Sequence, residues 1–340
     1  MAAETEIETK TYADYNVGWI CALPKEQIAA TAMLDRRHGN LPKPANDINT
    51  YTLGSIGHHN IVIVGLPLGK YGTISAATIV TSMIRTFPNI KIGLMVGIGG
   101  GIPSNEHAGG QHSGVVQWDQ GKAMQEGRFE RTGSLNNPPN SILTALNNLQ
   151  TNHEMTGSKI PDYLDEMAQQ YPRLANDYAR SESLQDVLFQ PDYHHVAGPG
   201  TACQACDTSK IIEREPQEMQ VHYGLIASGN QVIKDSILRD RLNEQLGGRI
   251  LCVEMEAAGL MDNFPCLQKH AAAVAAAYAK ELLGCVHPVD VAGERPIREV
   301  FQETSDGIDD AYKKIEHRVR TSKRELQDLR DAFVSAFFSR

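Results

Sequence analysis

The sequence has no excess of positive charge and no long apolar run. Its 340 residues carry 32 Lys and Arg against 41 Asp and Glu, a formal net charge of -9. Phosphate backbones are bound by a concentrated basic face, so we expect no nucleic-acid partner. No apolar stretch approaches the ~20 residues that a membrane-spanning helix needs, so we expect no membrane partner either.

Signals for export and for disulfide bonding are scarce as well. Residues 1–14 contain neither the basic segment nor the apolar segment of a secretory signal. The six cysteines are scattered through a long acidic chain, which is typical of reduced thiols. We therefore predict a flexible leader over 1–14 and a cytoplasmic location.

Several familiar catalytic signatures are missing. The sequence has no G-x-S-x-G motif and no Walker loop. Cys203 and Cys206 form a C-x-x-C pair, preceded by His194 and His195, but no second ligand pair at zinc spacing accompanies them. We predict no metal and no organic cofactor.

What the chain does contain is an alternation of short apolar runs and amphipathic segments, which is typical of a parallel sheet covered by helices. The sequence therefore predicts a three-layer α/β fold with a mostly parallel central mixed sheet and helices on both faces. The predicted strands are 17–23, 51–56, 61–66, 92–96, 221–227 and 250–253, and the predicted helices include 25–37, 73–85 and 270–283.

The composition also changes along the chain. Residues 134–192 are polar, with helical stretches at 140–150 and 161–179, and indicate a helical insertion in a domain spanning 15–290. In the tail, 291–340, apolar residues recur every three or four positions over 308–333. This spacing predicts an amphipathic helix, which either folds back on the domain or binds a helical partner or a second copy of the chain.

Candidate chemistry lies where predicted strands end, because open α/β sheets bind ligands at the carboxyl ends of their strands. Met255 and Glu256 follow one strand, and a carboxylate there can accept two hydrogen bonds from a ribose diol while a methionine packs on a sugar or base. The alternative is acids that only favour a helix N-terminus. Glu26 and Ser228 follow two other strands in the same way.

A glycine run follows the strand at 92–96. Glycines let backbone N–H groups approach a ligand closely, so the run is either a cradle for a sugar or an anion, or a tight turn. A dinucleotide fingerprint is incomplete, since Ile102 stands where the third glycine belongs. The candidates are Gly97, Gly99, Gly100 and Gly101.

In their order along residues 14–290, these motifs resemble the nucleoside phosphorylase superfamily, above all the fungal phosphorylase-like modules often found ahead of NACHT or ankyrin-repeat regions. The matching stretches are DYNVGWICALPKE, LPLGKYGTISAATIV, LMVGIGGGIPS, GVVQWDQGK, HYGLIASGNQVIKD and RILCVEMEAAGLM.

The resemblance implies a role for each matching position. Glu26 would activate the attacking water, as the corresponding acid does in nucleosidases. The glycine run would lie against the ribose, and Glu256 with Met255 would grip it. Val232 and Ile233 would border the base.

The sequence departs from the family in two places. The strand that follows the glycine run in the family is absent, because the run passes through 104–110 almost at once into Gly114. The strand after the VEMEAAG motif is also absent, and with it the Asp that protonates the leaving purine. Loss of two whole segments resembles altered splicing or a gene-model error more than gradual drift.

The resemblance predicts a protein that cleaves the N-glycosidic bond of a purine nucleoside, as a pentosyl-transferring phosphorylase or as a nucleosidase. Phosphate is a candidate co-substrate, with Lys70 or Lys91 standing in for the family's phosphate-binding Arg. Without the leaving-group Asp, activity is expected to be impaired. The alternatives are an inactive nucleoside-binding sensor or scaffold, and an interaction module that works through its tail helix.

Overall fold

The structure is a computed structural model in which two compact units are distinguished, Met1–Glu294 and Arg295–Arg340. In the second unit, residues 297–303 are helical and the Arg295 guanidinium pairs with the Glu303 carboxylate. The amphipathic helix predicted over 308–333 lies outside the described residues. The structure describes residues 10–102, 114–124, 129–131, 138–179, 187–190, 193, 196, 205–213, 219–231, 233, 236–254, 265–303 and 305–306.

The first sheet of the larger unit is built around a fully buried strand. Its strands are β1 (Val17–Cys21), β2 (Arg36–Arg37), β3 (Tyr51–Ile56), β4 (His59–Gly65) and β5 (Ile92–Met95), in the order β2-β3-β4-β1-β5. β1 is parallel to both β4 and β5, and all five of its residues are buried. This burial explains its continuous apolar sequence, since strands covered on both faces do not alternate. The strands predicted over 51–56 and 61–66 are confirmed as β3 and β4, which pair antiparallel as a hairpin.

A second sheet follows in the chain. Its strands are β6 (Gly100–Gly101), β7 (Gly114–Gln117), β10 (Leu225–Ser228) and β11 (Ile250–Glu254), in the order β6-β11-β10-β7, and a two-stranded ribbon joins β8 (Gly121–Ala123) to β9 (Phe129–Arg131). β7, β10 and β11 are parallel, whereas β6 runs antiparallel to β11. Its core is formed by Ile102, Val116, Ala227, Leu242, Ile250 and Val253.

Helices flank the sheets. They are α1 (Pro24–Ala32), α2 (Thr73–Thr86), α3 (Asn140–Thr156), α4 (Ile160–Gln170), α5 (Pro172–Tyr178), α6 (Ser236–Gln245), α7 (Pro265–Cys285) and α8 (Pro288–Gly293). α7 packs against α1, α3, α4 and α5. Its alanine-rich sequence makes a flat face that lets helices approach closely, and Ala272, Ala273, Ala276 and Ala277 are all buried there.

A buried glutamate holds the helical segment α3–α4 to α7. The Glu281 carboxylate is 6% exposed and accepts hydrogen bonds from Ser158 Oγ at 2.8 Å and from the Lys159 backbone N–H at 2.9 Å. His153 Nε2 lies 3.1 Å from the same carboxylate. Because a buried charge needs partners, this contact fixes the turn between α3 and α4 on α7.

The α/β class is confirmed, with the strands distributed over more than one sheet. The described strands form two larger sheets, with the chain leaving the edge strand β5 of the first and entering the edge strand β6 of the second. The helix predicted over 25–37 ends at Ala32, because Asp35 and His38 donate backbone hydrogen bonds to β3 and draw the chain into the edge strand β2. Among the described helices, none is both long and apolar enough to cross a bilayer.

We expect Gly54→Ala to destabilise the first sheet. A Cβ at this buried position of β3 would lie 2.6 Å from the Arg36 carbonyl oxygen and 2.6 Å from Leu34 Cδ1. Because one of these atoms is backbone, the strands must separate, at a cost of about 1–3 kcal/mol. Urea unfolding followed by circular dichroism measures the change.

Gly39→Ala is the matched control. Gly39 is exposed, and no described atom lies within 4 Å of the Cβ position. The free energy of unfolding of the Gly39→Ala variant should therefore differ from that of the unaltered chain by less than about 0.5 kcal/mol. Equal losses in the two variants would contradict the close approach at Gly54.

Candidate functional site

The best-defined candidate residue is Glu26, in the first turn of α1 directly after β1. The residue before the helix, Leu23, has no polar side chain with which to cap it, and Glu26 supplies the acceptor instead. Glu26 Oε2 accepts hydrogen bonds from the Ala22 N–H at 2.8 Å and the Leu23 N–H at 2.9 Å. An acid at the third helical position reaches back in this way in many helix starts.

The other carboxylate oxygen reaches the glycine run. Glu26 Oε1 accepts a hydrogen bond from the Ile98 N–H at 3.0 Å. The side chain is only 2% exposed. Glu26 therefore joins the carboxyl end of β1 to the segment that leaves β5, as we expected of residues at one edge of a parallel sheet.

Burial shifts the ionisation of this carboxyl group. Loss of solvation raises the pKa of Glu26 to about 7, although the three backbone N–H donors and the neighbouring Lys25 ammonium act to lower the pKa. The carboxyl group can therefore exchange a proton near neutral pH, which is where a general acid or base is most effective.

The glycine run bridges the two sheets. The Val96 N–H donates to the Ile20 carbonyl of the first sheet at 3.2 Å, and the Ile102 N–H donates to the Leu251 carbonyl of the second at 2.9 Å. Gly100 and Gly101 pair with β11 between these points. The segment 96–102 is thus held at both ends by strands and near its centre by Glu26.

The glycines of this segment have different surroundings. A Cβ at Gly99 would lie 3.2 Å from Cys252 Sγ and 3.3 Å from the Val253 carbonyl oxygen, so that position is needed for packing on β11. At Gly101 no described atom lies within 4 Å of the Cβ position. Gly97, Gly99 and Gly101 are exposed, whereas the intervening Ile98 is buried. In this segment the Ile98 side chain is therefore buried, while Gly97, Gly99 and Gly101 are accessible to solvent.

The parallel strands of the second sheet end at one edge. Ser228 lies in register with Glu254 of β11 and Gln117 of β7. The Gly229 N–H donates to the Glu254 carbonyl at 3.2 Å and continues this pairing past the end of β10. Met255 and Glu256 follow Glu254 directly in the chain, but they lie outside the described residues.

A loop at this edge also caps α2. Asn230 Oδ1 accepts hydrogen bonds from the Thr73 N–H and the Thr73 hydroxyl, each at 3.2 Å. The backbone N–H of Asn230 is held by Asp119 at 2.6 Å. The N-cap residue of α2 is Gly72, which has no side chain to cap the helix, so the polar cap comes from a distant loop.

The predicted site residues divide into three groups. Glu26 and the glycine run lie together, and the run pairs with the strand that carries Glu254; Ser228 lies half-buried at the edge of the same sheet. Ile233 packs on the core of the second sheet. Val232, Met255 and Glu256 lie outside the described residues. The catalytic and binding roles of all these residues stay predictions.

Other predictions concern metal and phosphate. Cys206 is buried, and Cys203, His194 and His195 lie outside the described residues. Within the described ranges no group of three or more His, Cys, Asp or Glu side chains could hold a metal ion. Lys91 lies at the amino end of β5 and donates to the Ala292 carbonyl at 2.7 Å, away from the edge that holds Glu26. Lys70 is exposed in the loop between β4 and α2.

Two contacts of the site were not foreseen from the sequence. The Ile98 N–H donates a hydrogen bond to the Glu26 carboxylate. Asn230 caps α2 at Thr73, which lies 157 residues earlier in the chain. Backbone donors carry no side-chain signal, and the partner of an Asn is set by tertiary structure. The Ser-Gly-Asn loop after β10 was the signal available for the second contact.

Comparison with known proteins finds similarity to an NLR-like protein in sequence and to solved nucleosidase structures in fold. No family model matches the chain. A nucleotide-binding leucine-rich repeat (NLR)-like protein from Hyaloscypha variabilis is 43% identical to it over 304 residues, which is 81% of the chain. The chain spans 30% of that relative's length.

Three solved structures that resemble the chain are 13–14% identical to it in sequence. A Borrelia burgdorferi protein assigned as a 5'-methylthioadenosine/S-adenosylhomocysteine nucleosidase has a TM-score of 0.48 and covers 79% of this chain and 99% of its own. Futalosine hydrolase of Helicobacter pylori has a TM-score of 0.43, covering 81% and 99%. The Neisseria meningitidis nucleosidase has a TM-score of 0.42, covering 79% and 98%.

We expect Asn230→Ala to lower the thermal stability of the larger unit. The substitution removes the acceptor of the first N–H of α2, and loss of a polar cap costs about 1 kcal/mol. Differential scanning calorimetry measures the shift. Thr81→Ala on the same helix is the control, because the Thr81 hydroxyl bonds only its own helix at Ala77. An equal loss in both variants would show that Asn230 does not act as the cap.

Proposed function

We propose that this chain is a nucleosidase-like module that binds a purine nucleoside and cleaves its N-glycosidic bond, with Glu26 activating the attacking water. The observation that carries the proposal is the buried Glu26 carboxylate, held between the end of β1 and the glycine run with a pKa raised to about 7. The order of the sequence motifs supports the same reaction class.

The three hydrogen bonds of Glu26 leave one acceptor position of its carboxylate unused. A carboxylate offers about four acceptor positions, and three are taken by the N–H groups of Ala22, Leu23 and Ile98. The remaining position can accept a hydrogen bond from a water and then its proton. In hydrolysis the water oxygen bonds to C1′, its proton passes to Glu26, and the C1′–N electron pair leaves with the base.

The rest of the proposed site would hold the nucleoside. The backbone of Gly97, Gly99, Gly100 and Gly101 would lie along the ribose, next to the edge that carries Ser228. Glu256 and Met255 would grip the ribose where the chain continues beyond β11, and Val232 with Ile233 would border the base.

The absent leaving-group Asp limits the expected rate. Departure of a purine needs a proton, and loss of a general acid lowers the rate by about 10²–10⁴-fold. Slow turnover with substantial binding is therefore the behaviour we propose. Phosphorolysis belongs to the proposal only as an alternative, with phosphate as co-substrate and Lys70 as the exposed cation in the loop at the end of β4.

A second candidate function is a nucleoside sensor without catalysis. The observation that favours it is the 43% identity to an NLR-like protein of which the chain spans 30%. A module of this size within a longer receptor-like protein could report nucleoside binding to neighbouring segments, with the tail as a partner or oligomerisation helix. A cytoplasmic location would suit either function.

We expect purified protein to release free base from adenosine, inosine or methylthioadenosine, at a rate that rises with pH through about pH 7. The sign follows from the role of Glu26, because a general base acts in its ionised form and its pKa is raised to about 7. Chromatography of the products, with and without phosphate, measures the rate and distinguishes hydrolysis from phosphorolysis.

Glu26→Gln should lower the rate by at least about 10²-fold and remove this pH dependence, whereas Glu244→Gln, at an exposed position on α6, should change neither. Glu26→Gln also sets an amide N–H₂ against backbone donors, so its unfolding curve is recorded beside the assay. Binding of nucleoside by calorimetry without base release at any pH would favour the sensor, and neither binding nor release would end both proposals.

We expect Gly101→Ala to weaken adenosine binding without loss of stability. No described atom opposes the new methyl group, but a ribose in the proposed cradle would, and one carbon in a fitted site costs about tenfold or more in affinity. Gly99→Ala is the contrasting variant, because its methyl group meets β11 and should lower the melting temperature. Unchanged adenosine affinity in folded Gly101→Ala would remove the glycine run from the site.

A further inference from the structure

A cavity lies on the opposite side of α1 from the Glu26 carboxylate. It has a volume of about 750 Å³ and is bounded by α1, by β2 and β3, and by the end of α4 with the start of α5. Cavities that bind small molecules are typically about 300–1,000 Å³. This cavity is therefore large enough for a ligand of drug-like size.

The wall that α1 contributes is its outward stripe. Pro24, Gln27, Ile28 and Thr31 all line the cavity, and they recur at the spacing of one helical face. Ile28 is 42% exposed, although its neighbour Ala29 is fully buried. An apolar side chain open to water in a concave wall gains free energy when a ligand covers it.

The charge of the cavity has one sign. Arg37 at the end of β2 and Arg173 at the start of α5 both line it, and no described residue of its lining is acidic. Within the described part of the chain, neither guanidinium has an ion pair or a hydrogen bond. Arginine binds carboxylates, phosphates and sulfonates through paired N–H donors.

We infer that this cavity binds a small organic anion with an apolar body, its acidic group on Arg37 and Arg173 and its body along Ile28 and Leu174. The apolar wall and the two guanidinium groups act on different parts of such a ligand. This site does not depend on the proposed nucleoside chemistry, since none of its lining residues belongs to the predicted nucleoside site.

The test uses two fluorescent probes that differ in charge, 8-anilinonaphthalene-1-sulfonate and the uncharged N-phenyl-1-naphthylamine. We expect the sulfonate to bind the whole chain saturably at one site. Arg37→Gln with Arg173→Gln should weaken sulfonate binding by about 10²-fold, because each lost charge-assisted hydrogen bond is worth about tenfold. Binding of the uncharged probe should be unchanged.

Arg36→Gln is the matched control. Arg36 is exposed on the same strand as Arg37 and does not line the cavity, so sulfonate binding should stay as in the unaltered chain. Thr31→Trp should fill the cavity and abolish binding of both probes; circular dichroism verifies that each variant is folded.

Three results would overturn the inference. The first is no saturable sulfonate binding by the unaltered chain. The second is unchanged sulfonate affinity after loss of both cavity arginines. The third is an equally large loss in Arg36→Gln, which would mean that the dye senses surface charge rather than this cavity.

Discussion

The fold around the candidate site depends on one buried carboxylate that accepts three backbone hydrogen bonds. Two of the donors, Ala22 and Leu23, belong to the turn between β1 and α1, and the third, Ile98, belongs to the segment between the two sheets. A buried charge is costly unless it is paired or hydrogen-bonded. Glu26 therefore fixes the start of α1 and the path of the glycine run with the same two oxygen atoms.

Because the strands are divided between two sheets, the segment 96–102 is important as a connection between the sheets. Between β5 and β6, the Val96 N–H donates to β1 and the Ile98 N–H donates to Glu26, and Gly100 and Gly101 then pair with β11. Asn230 supplies a second connection, because it belongs to the second sheet's edge and caps α2, a helix that packs on β1 of the first. These polar contacts connect segments at the carboxyl ends of strands in both sheets.

Local patterns in the sequence predicted much of this fold. The buried strand β1 and the β3–β4 hairpin follow from apolar runs bounded by Pro and Gly, α2 follows from helical periodicity, and α7 follows from its alanine-rich composition. The pieces that escaped prediction depend on partners distant in sequence. β2 is two arginines whose extended form comes from pairing with β3, and the cap of α2 is an asparagine more than a hundred residues away.

The candidate site also has features that the sequence predicts and features that it does not. The positions of Glu26 and the glycines at the ends of strands could be predicted, because the carboxyl edge of a parallel sheet collects such residues. The direct bond from Glu26 to Ile98 could not, since every residue except proline offers the same backbone N–H. The raised pKa of Glu26 likewise follows from burial, which a sequence motif does not encode.

α1 is only nine residues long, yet it presents Glu26 on one side and the Ile28 wall on the other. A displacement of α1 that widened the cavity would also alter the distance from the Glu26 carboxylate to the Ile98 N–H, which belongs to a different segment. Thermodynamic linkage makes such coupling reciprocal. An occupant of the cavity that shifted α1 would change the proton affinity of Glu26, and protonation of Glu26 would change the occupant's affinity by the same factor.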